Sequence, residues 1–432
     1  MNNRFKRFLF CISITAILMI PADIAGQDRP VGTLIKAGRM IDTVSGRVLK
    51  NRMILIEDGM IKAVGSKITV TDGIRVIDLS DSTVLPGLID CHTHITGQSA
   101  DNRRLRNPWI DNSVIAHIYP MRTLKAGFTS VRSLGEGSFA GISLMRAIDS
   151  GIIEGPRIQA AGYYIGATGS HGDRVGGSPW ETTNRPPEMS GIADGVDEVR
   201  KKVRYLVKHG ARVIKFGASA GVLSGEDSVS APQYTQEEMN AIVDEAHMWE
   251  RRVAAHAHGS EAIKMAVKAG VDSIEHGSLI DDEGIAMMKR AGTYLVADVY
   301  VSDYILTEYA RFGASEKILA KERLVGRAQR ENFKKAHKAG VKIAFGSDAG
   351  VYPHGLNARQ FPFMVKWGMT PMQAIQAATV NAADLMHWSD KIGSIEKGKY
   401  ADIIAVKEDP LKNVKALEKV SFVMKSGKVF KE

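Results

Sequence analysis

Leu85-Pro86-Gly87-Leu88-Ile89-Asp90-Cys91-His92-Thr93-His94-Ile95-Thr96-Gly97 is an apolar run that ends in two histidines separated by one residue. Successive side chains of a β-strand point to opposite faces, so His92 and His94 share a face and can converge on one ion. Alternating histidines at a strand end are also an ordinary polar surface feature. What sets this pair apart is its company: Lys215, His256, His276 and Asp348 each stand at the end of a later strand-like run.

Working outward from that stretch, eight strand-like runs alternate with helical segments: Val84–His94, Thr129–Leu134, Arg157–Tyr164, Arg212–Phe216, Arg252–His258, Ser273–His276, Tyr294–Tyr300 and Lys342–Ser347. The joints between them repeat one punctuation. Lys125-Ala126-Gly127, Lys208-His209-Gly210, Lys268-Ala269-Gly270, Arg290-Ala291-Gly292 and Lys338-Ala339-Gly340 each place a cation on the negative helix end and a glycine at the left-handed cap. Helix starts agree, with Thr235 and Glu238 spaced as a capping box and Thr370-Pro371 placing proline at the first helical position. The pattern predicts an α/β fold, a (β/α)8 TIM barrel, whose chemistry belongs at the C-terminal strand ends. A doubly wound open sheet is the alternative, disfavoured because no glycine-rich nucleotide loop follows the first strand.

Both ends of the chain read as β-structure. Thr33–Ala37, Arg52–Glu57, Met60–Val64 and Ile74–Leu79 are strand-like, with Asp58-Gly59 as a hairpin turn; Ala401–Val406, Val420–Lys425 and Lys428–Phe430 repeat the style around Ser426-Gly427. The expected organisation is therefore a barrel over residues 85–389 and a small composite β-sandwich domain assembled from residues 27–84 and 390–432. Before it, Arg4, Lys6 and Arg7 precede the apolar run Phe8–Ile20 and the small residues around Ala22–Gly26, which reads as a secretory signal peptide over residues 1–26. A membrane anchor is the weaker alternative, because no second apolar span follows. An exported, periplasmic or secreted protein without a stable membrane anchor is expected.

Of two cysteines, Cys11 lies in the leader, which leaves Cys91 alone and excludes a disulfide framework. The formal charge of +9 can draw in anionic substrates, yet no basic helix interleaved with aromatics appears, so nucleic acid is not an expected partner. Two long connections, Gly166–Asp194 and Ala349–Met369, follow the third and eighth strands and are expected to shape a pocket at the barrel mouth.

Taken singly, each candidate has a mundane reading: Lys215 as a strand-end lysine reaching water, His276 and Asp348 as turn or cap residues. His256 and His258 share one face, so the spacing leaves open which of them binds metal. Together the set defines one rim. The runs that carry it, Pro-Gly-Leu-Ile-Asp-x-His-x-His, Val-Ile-Lys, His-Ala-His-Gly, Glu-His-Gly, Ser-Asp-Ala-Gly and the closing Ala-Asp-Ile-Ile, resemble the metal-dependent amidohydrolases of the imidazolonepropionase-like branch, which includes Xaa-Pro dipeptidases and ochratoxinase-like amidases. The resemblance covers nearly everything after the leader.

It implies two divalent ions, usually zinc: one held by His92, His94 and Asp348, the other by His256 and His276, with an N6-carboxylated Lys215 bridging them. His256 is preferred to His258 on motif position alone. A neutral lysine amine adds carbon dioxide to give a carbamate whose two oxygens can bridge cations, and paired cations supply hydroxide near neutrality. Asp348 would take the water's proton and deliver it to the leaving nitrogen, with His258 as an oxyanion or supporting contact. By the same resemblance His171, after the third strand, and Tyr234, before a capped helix, hold the substrate's carboxylate, and His354, after Tyr352-Pro353, is a further pocket candidate. A homo-oligomer is expected by analogy.

The chain departs from the family's Val-Arg-Asp on the second strand, having Val131-Arg132-Ser133, and Asp298 is an unexpected carboxylate on the seventh. The leading reading is a hydrolase that cleaves an amide beside a free carboxylate, as in a dipeptide or N-acyl amino acid. A cyclic-amide hydrolase or mononuclear deaminase on the same barrel is the alternative, opposed by the bridging lysine. A non-catalytic binding barrel is opposed by six filled ligand positions.

Overall fold

Two pairs of left-handed residues, Asp58-Gly59 and Ser426-Gly427, close hairpins at opposite ends of the sequence, with φ of 51° and 76° in the first and 47° and 77° in the second. The computed structural model describes residues 32–69, 72–99, 108–136, 138–173, 190–225 and 228–432. The expected leader lies outside the described residues, as do residues 174–189 of the first long connection.

In the N-terminal part, β1 (Gly32–Asp42), β2 (Arg47–Glu57), β3 (Met60–Gly65) and β4 (Ile74–Pro86) are longer than the hydrophobic runs alone indicate. The reason is pairing on both edges of β1, parallel to β4 and antiparallel to β2, which carries the strand through Lys36 and Arg39. The register shifts between Ala37 and Arg39, where a Cβ on Gly38 would stand 1.8 Å from the Ser80 carbonyl oxygen.

The sequence run from Val84 to His94 is two strands, not one. β4 ends at Pro86 in the small sheet, and β5 (Leu88–Thr93) begins in the barrel. Gly87 sits at the crossing, where a Cβ would lie 2.1 Å from Thr129 Oγ1, so only glycine lets the chain pass this close.

From β5 the barrel runs through β6 (Phe128–Ser133), β7 (Arg157–Ala160), β8 (Val213–Gly217), β9 (Arg252–Ala257), β10 (Ser273–His276) and β11 (Tyr294–Val296), in parallel ladders β5-β6-β7 and β8-β9-β10-β11. Isolated backbone hydrogen bonds close the two gaps. Ile165 N donates to Lys215 O and Gly217 N to Ile165 O, joining the continuation of β7 to β8. The eighth segment is extended without a continuous ladder: Leu295 N donates to Lys342 O on one side, and Cys91 N to Phe345 O and Asp348 N to His92 O on the other. The five glycines of the helix–strand joints all take positive φ, from 74° to 102°. Capping boxes form at Thr235/Glu238 and at Thr370/Gln373.

After the barrel, β12 (Ile403–Val406) pairs antiparallel with β4, and β13 (Phe422–Lys425) and β14 (Lys428–Lys431) extend the same sheet. The β-sandwich domain of both termini is thus one hydrogen-bonded run, β14-β13-β12-β4-β1-β2-β3, around a core that includes Ile35, Ile54, Ile77, Ile403 and Phe422. Because β4 feeds directly into β5, the small domain is anchored to the strand that carries the histidine pair. No helix among the described residues is long and apolar enough to cross a membrane.

Candidate metal centre

Period-two alternation sends Asp90, His92 and His94 to one face of β5 and its continuation, and the structure brings all three to the eighth segment. Asp90 accepts from the backbone N–H of His92 and of Ser347, both at 3.1 Å, from Asn357 Nδ2 at 2.8 Å and from the Ser347 hydroxyl. This knot fixes His92 relative to Asp348. Asp348 Oδ1 then stands 3.2 Å from His94 Nε2 and 3.5 Å from His92 Nε2.

A second group lies on the neighbouring arc of the rim. Donor atoms of His256, His258 and His276 fall within 4.8 Å of one another, as do those of His276, Asp298 and Asp348, which link the two groups. His258 and His276 stack at 4.8 Å between centroids, and His256 lies 4.6 Å from His276. Both histidines of β9 and its extension thus reach the cluster, and the geometry keeps both as donors.

Two of the donors are presented by strained backbone. His276 has φ of 69° and Asp348 has φ of 57°, in the left-handed region that non-glycine residues avoid. On a regular strand Glu275 and His276 would face opposite ways. The twist at His276 allows both to face the centre.

Lys215 is 1% exposed. Burial pushes its ammonium down to about 8 against the pull of Glu275, with Arg132 lowering it further and Asp348 and Asp298 raising it. Those neighbours place the lysine in the same charged cluster. Burial likewise holds His92, His256 and His258 well below the usual imidazole range, so they are neutral, as metal ligands must be.

The donor set fits divalent ions. His94 Nδ1 lies 2.8 Å from the Gly135 carbonyl, an acceptor, so the proton belongs there and Nε2 presents a lone pair. That lone pair faces Asp348 Oδ1, a buried oxygen without a hydrogen-bond partner. Two acceptors facing each other repel unless a cation lies between them. The same logic holds for His276, whose Nδ1 is 2.9 Å from Asp298 Oδ1, whereas His258 Nδ1 lies 2.8 Å from Ser278 Oγ, a hydroxyl able to donate to it, and His92 Nδ1 approaches Glu275 Oε2 at 3.0 Å without a hydrogen bond between them.

Of the expected substrate contacts, His171 is at the cluster, stacked on His256 at 4.4 Å and 16°, with Nδ1 2.8 Å from Ser224 Oγ. Tyr234 is placed otherwise: it is 4% exposed, its hydroxyl donates to Ala193 O at 2.8 Å, and its ring packs on Phe216. Phe216 follows Lys215 on β8 and so points to the opposite face, which puts Tyr234 on the helix side of the strand. His354 is also a brace rather than a pocket wall. Its Nε2 lies 3.1 Å from His94 O and 2.9 Å from Gly97 O, gripping the loop after the histidine pair.

The supports of the ligands lie outside the strand-end pattern of the sequence. Asp90 was legible, being in phase with His92 and His94. Asp298 is explained as the partner of His276, shared with Gln329 Nε2 at 2.7 Å. Arg132 and Glu275, fully buried and 2.7 Å apart, gave no signal beyond their place in motifs.

A (β/α)8 barrel whose rim gathers neutral imidazoles, a carboxylate and a buried lysine defines the class of metal-dependent hydrolases. The amidohydrolase family pattern matches residues 83–430, and the chain belongs to that family. It is 34% identical to ochratoxinase of Aspergillus niger over 95% of this chain and 89% of that protein. Among solved structures it is similar to a Xaa-Pro dipeptidase with methionine bound in its active site, at 41% identity and a TM-score of 0.87, covering 93% of this chain and 100% of the other. A prolidase complexed with N-methylphosphonate-L-proline matches at 32% identity and a TM-score of 0.86, over 93% and 100% of the two chains. The protein is a metal-dependent amidohydrolase acting on carbon–nitrogen bonds.

Proposed function

We propose that the protein is an exported, dinuclear amidohydrolase that cleaves an amide bond beside a free carboxylate, as in a dipeptide or an N-acyl amino acid. The observation that carries this reading is the facing pair of acceptors, His94 Nε2 and Asp348 Oδ1 at 3.2 Å, next to a second histidine group and the buried Lys215. The likeness to a Xaa-Pro dipeptidase and to a prolidase complexed with N-methylphosphonate-L-proline supports a peptide-type C–N bond as the one cleaved.

His92, His94 and Asp348 would hold one ion, and His256 and His276 the other, with Lys215 shared between them. When bound, divalent ions such as zinc lower the pKa of water and polarise a carbonyl. Lys215 joins the set as its carbamate: the neutral amine forms an N–C bond to carbon dioxide and releases a proton to solvent. An amine held near 8 is neutral in appreciable fraction at neutral pH.

Asp348 accepts the proton of the attacking water as the new C–O bond forms at the carbonyl. It then gives that proton to the nitrogen as the C–N bond breaks, so the amine leaves neutral. His258, held through Ser278, donates toward the carbonyl oxygen. His171, beside His256, takes the substrate's carboxylate. The oligomer expected by analogy is part of the same proposal, as is removal of the leader on export.

The test is a hydrolysis panel of dipeptides and N-acyl amino acids, run against esters and cyclic amides, with elemental analysis of the purified protein. Turnover confined to amides next to a carboxylate, with two metal equivalents per chain, is the expected result. Turnover of cyclic amides alone, or one metal per chain, would sink it.

A further inference from the structure

The long helix between β11 and the eighth segment, Glu316–Ala339, carries polar groups where its packing calls for apolar ones. It opens on the Ser315 cap and ends at the left-handed Gly340, and Leu319, Glu322, Val325, Gln329, Phe333 and Ala336 recur at helical spacing on its buried face. Gly326 lets that face come close, since a Cβ there would collide with Ser302 Oγ.

Gln329 is 4% exposed, and a buried amide is costly unless its hydrogen bonds are made. Its Nε2 donates twice, to Asp298 Oδ1 at 2.7 Å and to the backbone oxygen of His276 at 3.3 Å. Both neighbours are acceptors, which fixes the amide with its nitrogen toward them. Three residues on, Asn332 Nδ2 donates to Ser278 O at 2.9 Å, so the helix grips the same turn at two points.

That turn is the strained one. His276 and Gly277 take φ of 69° and 62° in succession, and a left-handed residue with a side chain persists only where its surroundings hold it. Asp298 Oδ1, which accepts from Gln329, also stands 2.9 Å from His276 Nδ1. One amide therefore meets both the backbone that presents the ring and the carboxylate that keeps the proton on Nδ1, leaving the lone pair on Nε2.

We infer that Gln329 is the positioning residue for His276: it holds the carbonyl of the left-handed turn and the Asp298 carboxylate in one grip, and so aims Nε2 of His276 at the metal. The inference rests on the metal-binding reading of the rim. His276 belongs both to the histidine group and to the set with Asp298 and Asp348, so loss of Gln329 weakens metal binding at the centre as a whole.

The test is a competition titration of metal-free protein with zinc against a chromophoric chelator, with urea melts alongside, for wild type, Gln329→Met, Gln329→Asn and Phe333→Leu. Gln329→Met keeps the length and loses the donors. Gln329→Asn keeps the amide, loses the reach and carries the test if the first variant fails to fold. Phe333 is 1% exposed on the same face, and Phe333→Leu loosens the helix without removing a donor to the turn.

Supports of ligating histidines are worth about 10- to 100-fold in metal affinity, so each Gln329 variant is expected to weaken zinc binding by that factor, and Phe333→Leu by less than about threefold despite its lost stability. Zinc affinity within about threefold of wild type in a folded Gln329 variant, or an equal loss in Phe333→Leu, overturns the assignment. A wild-type protein that takes up no zinc overturns the metal-binding reading instead, and the wild-type isotherm tells the two failures apart.

Discussion

The two donor groups on the rim are built differently. His92, His94 and Asp348 come from adjacent edges of the closed barrel, β5 and the eighth segment, and include a carboxylate whose Oδ1 faces two imidazole nitrogens. His256, His258 and His276 come from β9 and β10 and the residue beyond, and offer imidazoles alone. The first group carries its own anion, so it can balance a cation's charge in a buried site. The second has none of its own, since Asp298 is committed to His276 and Gln329. Under the proposed function a carboxylated Lys215 would supply the missing charge, which would make the second ion conditional on a modification and the first not.

That asymmetry can be broken at several points. Asp348→Asn removes both the anion of the first group and the proposed base, and kcat is expected to fall about 10²- to 10⁴-fold in steady-state assays with fold and circular dichroism unchanged. Equal activity would mean another group moves the proton. Lys215→Ala is expected to leave the first ion in place and lose the second, read as a drop from two metal equivalents to one by elemental analysis. Adding a small carboxylic acid, which restores an anion to the vacated space, should recover part of the activity; retention of both ions in Lys215→Ala with no added acid would end the bridging reading.

His171→Ala sharpens the comparison from the substrate side, because His171 stacks on the second group only. Loss of one hydrogen bond to a charged group is worth ~1.5–3 kcal/mol, so KM should rise about 10- to 100-fold with kcat moved less. An unchanged KM for carboxylate-bearing substrates would place the anion elsewhere.

The smallest effect is on stability. Burial holds His354 down to about 4, with the carbonyls of Gly97 and His94 opposing. A histidine whose folded pKa lies below its unfolded value binds fewer protons folded than unfolded between those values. Its contribution is therefore whole above about pH 6.5 and is lost as pH falls through that window toward 4, by up to ~3 kcal/mol. In His354→Gln, urea melts should show a shallower decline between pH 6.5 and 4 than wild type. Identical slopes would assign the acid sensitivity to other groups.

Much of this architecture was legible before any coordinates. The glycine joints fixed where helices end, because a left-handed cap has few substitutes, and His92 and His94 were paired by the period of a strand. Tyr234 and His354 were not legible. A tyrosine or histidine beside a motif looks the same whether it faces the pocket or the far side of the strand, and only the packing of Tyr234 on Phe216 and the grip of His354 on Gly97 O distinguish them.

The one-dimensional chain determined the barrel, the composite β-domain and the identity of the rim residues, since strand period, helix caps and turn pairs are properties of neighbours in sequence. Tertiary structure alone decided how those residues meet. The left-handed φ of His276 and Asp348, the Asp90 knot and the Arg132–Glu275 pair are held in place by contacts between segments far apart in sequence, and no local pattern encodes them.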